Sequence, residues 1–301
     1  MSHDHNESTE LSGGRLLTTM LLNFLITIIE IIGGMFSGSL SLLSDAFHNF
    51  SDGIAIIISY IANRLSGKPN SLKYTFGLKR AEIIAAIINS GTLVIISIFL
   101  IKGSIDRLLN PSEIKGLLML IVAAGGLAAN VVGTVLLKKG SDKNINLKAT
   151  YLHLLSDAVS SFAVIVGAVF IIFFKMYWID SFLTILISLY ILIESYRILK
   201  EAIDIVMMSV PKELNVKDVA KFIQSFPDIQ NVHHIHLWKL NDNDIHFEAH
   251  IDVQDMSVSK TAAVRDMLEK ALRNKFELTH FTFQFESDSC ANPELIKNVI
   301  Q

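Results

Sequence analysis

Two short patterns carry the chemistry that this chain could perform. His48 and Asp52 stand four residues apart inside an apolar run, and His153 and Asp157 repeat that spacing inside another. On a helix, residues i and i+4 lie on one face, one turn apart. Both copies share the form His-x-x-Ser-Asp-small or its close variant: Ser44-Asp45-Ala46-Phe47-His48-Asn49-Phe50-Ser51-Asp52-Gly53 and His153-Leu154-Leu155-Ser156-Asp157-Ala158. Ionisable side chains inside membrane spans are costly and mark ion paths or ligand sites. One such pair is equally well read as a hydrogen-bonding bridge between helices. A second copy on a separate span argues against that reading, because two imidazoles and two carboxylates complete a tetrahedral set for a zinc-like dication.

The charge balance of such a site suggests what it would do. Two carboxylates neutralise a dication in a poor solvent. Without metal, the carboxylates repel each other and the imidazoles can take protons near neutral pH. Metal binding then releases protons, and protonation expels metal. That is the physical basis of metal–proton exchange. Asp45, one turn before His48, is a further carboxylate that either supports the site, carries protons or shapes the helix start.

These residues need a membrane around them. The chain has 301 residues, 51% of them hydrophobic, with a mean hydropathy of +0.45, too apolar for an ordinary soluble protein. A net charge of −3 argues against a nucleic-acid partner. Cys290 is the single cysteine, which excludes a disulfide framework. Residues 1–14 read as a disordered cytoplasmic tail carrying His3, Asp4 and His5, without the features of a cleaved signal. Residues 15–208 read as a domain of six transmembrane helices, near Leu16–Phe36, Ser39–Asn63, Ala81–Leu108, Ile114–Leu137, Leu147–Phe174 and Ile179–Met208. Arg64, Lys68, Lys73, Lys79 and Arg80 fill one loop and Lys138, Lys139, Lys143 and Lys148 another. The positive-inside rule then places both termini in the cytoplasm.

From Ser209 the pattern changes. Val210-Pro211 ends the sixth helix, and residues 209–301 show helix, strand, strand, helix, strand over Val216–Ser225, Val232–Leu240, Asp244–Val253, Ser257–Phe276 and His280–Glu286. That order predicts a small cytoplasmic ferredoxin-like α+β domain. Under 100 residues, it gains from pairing with a second copy.

The sequence resembles the cation diffusion facilitator family, the zinc, cadmium and cobalt exporters of the bacterial resistance type. The resemblance rests on Ser39 to Asp52, on Tyr-Thr-Phe-Gly-Leu-Lys-Arg-Ala-Glu (Tyr74 to Glu82), on His153 to Asp157 and on His-His-Ile-His-Leu-Trp (His233 to Trp238). It covers essentially the whole chain. It implies a homodimer in a bacterial inner membrane that exports Zn2+, with Cd2+ or Co2+ as alternative substrates, against protons. It implies an intramembrane site of His48, Asp52, His153 and Asp157. In the cytoplasmic domain it maps ligands onto His233, His250 and Glu286, with His280 a further candidate and Zn2+ as a structural or sensed ion. His234, His236 and His246 compete for that role, and Cys290 is a weak candidate. Arg80 matches a basic residue near the dimer contact, with Asp204 as a guessed partner. The loop Ser66 to Lys79 has no His, Asp, Glu or Cys, so the metal site that some relatives carry there is not expected. No nucleotide-binding loop is present, and no enzyme activity is expected. A membrane-anchored metal-sensing scaffold without transport is the alternative, and four buried ionisable groups argue against it.

Overall fold

The computed structural model describes residues 23–141, 145–241, 243–287 and 294–296. The tail with His3, Asp4 and His5, the start of the first expected span, and Cys290 lie outside the described residues. Two compact units are present, Met1–Ile61 with Ala85–Leu199, and Ala62–Ile84 with Lys200–Gln301.

Six helices carry the first part of the chain: α1 (Asn23–Ser37), α2 (Leu40–Ser66), α3 (Ala81–Leu109), α4 (Gly116–Ser141), α5 (Ile145–Phe174) and α6 (Trp178–Val206). Four stretches are long and apolar enough to cross a membrane: Ala81–Leu109, Gly116–Val135, Leu154–Phe174 and Trp178–Val206. The sequence leads one to expect six. As described, α1 is short, and the first half of α2 carries Asp45, His48, Asn49 and Asp52. The residues that could do chemistry are those that dilute the apolar signal of their own helix.

What fixes α2 in place is a buried carboxylate from another helix. Gly38, at φ +75, makes the turn that separates α1 from α2 in a backbone region that favours glycine. The exposed amides of the new helix then meet Asp180 of α6, which is fully buried. Asp180 accepts hydrogen bonds from the amides of Leu40 and Ser41 at 2.9 and 3.2 Å, and from the hydroxyls of Ser39 and Ser41 at 2.6 Å each. A carboxylate at a helix N-terminus satisfies orphan amides and favours the helix dipole. Arg107 of α3 lies 3.8 Å from Asp180 and donates to the Gly38 carbonyl. Further along, the hydroxyls of Ser44 and Ser188 meet at 2.9 Å. These contacts step forward along α2 and α6 together, so the two helices run parallel.

The second unit is a three-stranded sheet with two helices. Its elements are α7 (Val216–Gln224), β1 (Ile229–Lys239), β2 (Ile245–Val253), α8 (Val258–Phe276) and β3 (His280–Glu286). The sheet order is β1-β2-β3, with β1 antiparallel and β3 parallel to β2. The strict alternation of β2 explains this layering. Phe247, Ala249, Ile251 and Val253 are buried in a core with Ile223 and Leu268. His246, Glu248, His250 and Asp252 take the opposite face. This is the helix and strand order expected of residues 209–301, with no end shifted by more than three residues.

Candidate metal sites

In the helical unit, α2 places His48 Nε2 3.6 Å from Asp52 Oδ2, as the i, i+4 spacing requires. Asp45, buried at 1% exposure, accepts a hydrogen bond at 2.9 Å from Ser161 of α5. Asp45 thus links the two helices that carry the repeated motif. Helix α5 folds back on α6, with Gly167 against Ile179 and Leu183, so α5 runs antiparallel to α2. Moving from Asp45 towards Asp52 on α2 therefore moves from Ser161 towards His153 on α5. That register brings Asp157, buried at 2%, to the level of His48 and Asn49. His153 lies one turn further along α5; its side chain lies outside the described residues. Among the described residues, His48 and Asp52 stand within single-ion distance of each other, and the three groups His48, Asp52 and Asp157 do not form a set whose ligand atoms all lie within 4.8 Å.

Donors that do close to that distance lie on the polar face of the sheet. Two groups have ligand atoms mutually within 4.8 Å: His233, His234 and His250, and His233, Asp252 and Glu286. His233 is fully buried. Its Nε2 lies 3.3 Å from Glu286 Oε2 and its Nδ1 3.5 Å from Asp252 Oδ2, yet neither nitrogen makes a hydrogen bond among the described residues. Buried polar atoms normally find partners. A buried imidazole between carboxylates fits a metal centre, where one nitrogen would give its lone pair to the ion and the other would donate its proton to a carboxylate. His250 Nδ1 sits 2.7 Å from Glu286 Oε1 and 3.3 Å from His234 Nδ1. Burial alone would raise the Glu286 carboxyl. The hydrogen bond from Gln284 and the nearby His250 and His233 rings outweigh it and hold the group below its ordinary range.

The resemblance maps ligands onto His233, His250 and Glu286, which stand together here; His234, named only as a competitor, joins them, and so does Asp252, which was not named. His234 should point away from His233 in a regular strand. A β-bulge between His233 and His236, with His234 at φ +49, turns it to the same side. Amides 234 and 235 instead pair with the carbonyls of Glu294 and Leu295. Asp252 was legible, since it shares a face with His250 two residues before it. The expectation for His280 is corrected. In the parallel register His280 pairs with His246, and Glu286 with Asp252. His250, the nearest member of the cluster along β2, pairs with Gln284, so at least four residues of strand, roughly 13 Å, separate His280 from the cluster. Its ring lies 4.5 Å from that of His246 instead, with Phe76 set edge-on to both. His236 also stays out of both groups among the described residues. Arg80 does not pair with Asp204: its Nε and Nη2 make no hydrogen bond among the described residues. The neighbouring Lys79 is the residue that finds a carboxylate, Asp244, at 2.7 Å.

A membrane-helix unit with repeated His-Asp spacing, joined to an α/β unit with clustered metal donors, defines a metal-handling membrane protein. The model for the cation efflux transmembrane domain matches residues 16–207, and that for the cation efflux protein cytoplasmic domain matches residues 211–288. The chain belongs to the cation efflux family, the cation diffusion facilitators, and is an integral membrane transporter rather than an enzyme. It is 34% identical over 292 residues to a cadmium, cobalt and zinc/H(+)-K(+) antiporter of Bacillus subtilis, covering 96% of this chain and 93% of that protein. It is 33% identical to the metal cation efflux system protein CzcD of Cupriavidus metallidurans, covering 96% and 90%. It is 32% identical to the zinc transporter ZitB of Pectobacterium atrosepticum, again covering 96% and 90%. The scaffold alternative gives way to transport on this membership.

Proposed function

We propose that this protein exports zinc-like divalent ions, Zn2+ first and Cd2+ or Co2+ as alternatives, from the cytoplasm in exchange for protons. The transported ion occupies His48 and Asp52 of α2 with His153 and Asp157 of α5. The observation that carries this reading is the repeated His-x-x-x-Asp spacing on two antiparallel helices, whose register the Asp45–Ser161 hydrogen bond supports. Metal loading cancels two carboxylate charges, and protons that return to the empty site hold it in the other direction. Rocking of helices about a fixed site would supply alternating access. The named activities of the three relatives agree, and the Bacillus relative is named for both protons and potassium.

The further assignments follow the same reading. Residues 15–208 form six spans with both termini cytoplasmic, in a bacterial inner membrane. Residues 209–301 form the cytoplasmic domain of a homodimer, with Arg80 near the dimer contact. His233, His234, His250, Asp252 and Glu286 would hold one or two zinc ions there. Bound metal would lock the ends of β1, β2 and β3 together and neutralise a carboxylate pair that the protein leaves close to imidazoles.

The test is zinc flux in proteoliposomes under an imposed proton gradient, wild type beside Asp157→Ala. Zinc movement that follows the gradient and vanishes in the variant is the expected result. Zinc binding without gradient-driven flux would overturn proton exchange, and full flux in the variant would overturn the site.

A further inference from the structure

One buried acid in the helical unit has no part in the metal site. Glu30 of α1 lies in the apolar sequence Ile28-Ile29-Glu30-Ile31-Ile32 and is fully buried. Its Oε2 accepts a single long hydrogen bond, 3.4 Å, from Asn49 Nδ2 of α2. Its Oε1 has no hydrogen-bond partner among the described residues, and neither does Asn49 Oδ1. No lysine or arginine pairs with it among the described residues. Across from it stands Gly126 of α4, where a Cβ would collide with the carboxylate. One turn along the same face of α4 is Asn130, exposed by 1%, with both amide atoms unpartnered. Glu30 of α1 thus meets Asn49 of α2 and packs on Gly126 of α4, one turn from Asn130, and buried oxygens on all three helices lack hydrogen-bond partners among the described residues. A buried acid so weakly satisfied is costly unless it binds a positive charge.

The chemistry of the locus selects its ligand. Oxygen donors alone, with one negative charge, suit a proton or an alkali cation and suit zinc poorly. The locus is also wired to the transport site. Asn49 adjoins His48 in the chain, and the carboxylates of Asp45 on α2 and Asp157 on α5 lie within electrostatic range of Glu30. With metal on Asp157, the field of that carboxylate on Glu30 is offset; once metal leaves, repulsion of Glu30 by Asp157 and Asp45 favours uptake of a cation.

We propose that Glu30, framed by Asn49 and Asn130, carries the countertransported monovalent positive charge, separately from the metal ligands. This rests on the antiport reading and gives it a second site. Proton and potassium share the chemistry, and the experiment separates them.

The full-length protein is placed in proteoliposomes as wild type, Glu30→Gln, Glu30→Asp and Asn130→Ala. Zinc flux is driven in turn by a zinc gradient, a pH gradient and a potassium gradient, and zinc affinity is measured by calorimetry in detergent. A gradient of one pH unit drives about tenfold per exchanged proton at equilibrium. Glu30→Gln is expected to lose about tenfold of that drive per pH unit, the share of the one charge it carries, while zinc affinity stays within about twofold of wild type. Glu30→Asp should recover part of the drive, and Asn130→Ala should weaken it. Loss confined to the pH gradient assigns the proton, and loss confined to the potassium gradient assigns potassium. Unchanged gradient response in Glu30→Gln, or in Asn130→Ala where the former does not fold, overturns the proposal. So does a parallel loss of zinc binding, which would make Glu30 part of the metal site. A wild type inert to both gradients fails the antiport reading itself, and the carrier falls with it.

Discussion

Asp52 and Asp157 differ from the histidines beside them in what their loss removes. In the proposed site a histidine would contribute a ligand atom, whereas each aspartate would also contribute half of the charge that neutralises a dication in low dielectric. Asp52→Ala or Asp157→Ala is therefore expected to abolish zinc transport while the protein still folds, since neither residue caps a helix. Zinc-dependent flux with a melting curve on the same samples checks this. Changing the donor type instead of removing it should alter preference. His48→Asp makes the set richer in hard oxygen and should move competition towards manganese or cadmium, read as the metal that best inhibits zinc uptake. An unchanged order of inhibition would contradict that account of selectivity. At this scale the sequence was legible where residues repeat or alternate. The spacing of His48, Asp52, His153 and Asp157 can be read as a candidate set, and strand period puts His250 and Asp252 on one face. His234 was legible only as a competitor, because a bulge that reverses one side chain leaves no period to count. His280 misled for a related reason: a shared face does not say how far along the strand two residues lie, and only the parallel register of β2 with β3 tells that.

Elements are held by contacts that no local pattern records. Asp180 sits in the first turn of α6, and its sequence position says only that an acid favours a helix start. In the fold it serves a different helix, closing four hydrogen bonds onto the start of α2. Removing one partner from a buried charged network typically costs about 3 kcal/mol or more. Asp180→Ala should therefore lower the thermal midpoint in detergent by several degrees, and Asp180→Asn by less, since one acceptor oxygen remains. Transport should fall alongside, because α2 carries His48 and Asp52. A similar bond between elements brackets the segment between α2 and α3, where Lys79 meets Asp244 and Phe76 meets His246 and His280. Burial, together with the neighbouring His280, Lys79 and Arg80, pushes His246 below its ordinary value, despite the opposing pull of Asp244. The folded state thus binds the His246 proton less readily than the unfolded one. Its contribution is whole above about pH 6.5 and is lost as pH falls through the window below that. His246→Phe should flatten the decline of the melting temperature between pH 7 and pH 5; an identical decline in the variant would show that the acid sensitivity arises elsewhere.

For the whole molecule, the two clusters of donors have different demands on affinity. The proposed transport site of His48, Asp52, His153 and Asp157 would have to release its ion in every cycle. The sheet cluster has no such duty, and its donors stand within 4.8 Å with His233 fully buried. Metal there should therefore stabilise the protein in a way that transport does not require. A ligand that binds only the folded state at a hundred times its dissociation constant adds about 2.7 kcal/mol. Zinc should raise the melting temperature of the wild type and of Asp157→Ala alike, because the sheet cluster is intact in both. His233→Ala with Glu286→Gln should abolish most of that rise, and chelation should bring the wild type down to the double variant's level. Gradient-driven flux in the double variant, measured under conditions where it stays folded, should persist. If flux disappears with the sheet metal while the protein remains folded, the cluster acts on transport and not on stability alone. The bond network from β2 through Asp244 to Lys79 would then be the first route to cut, by Lys79→Ala.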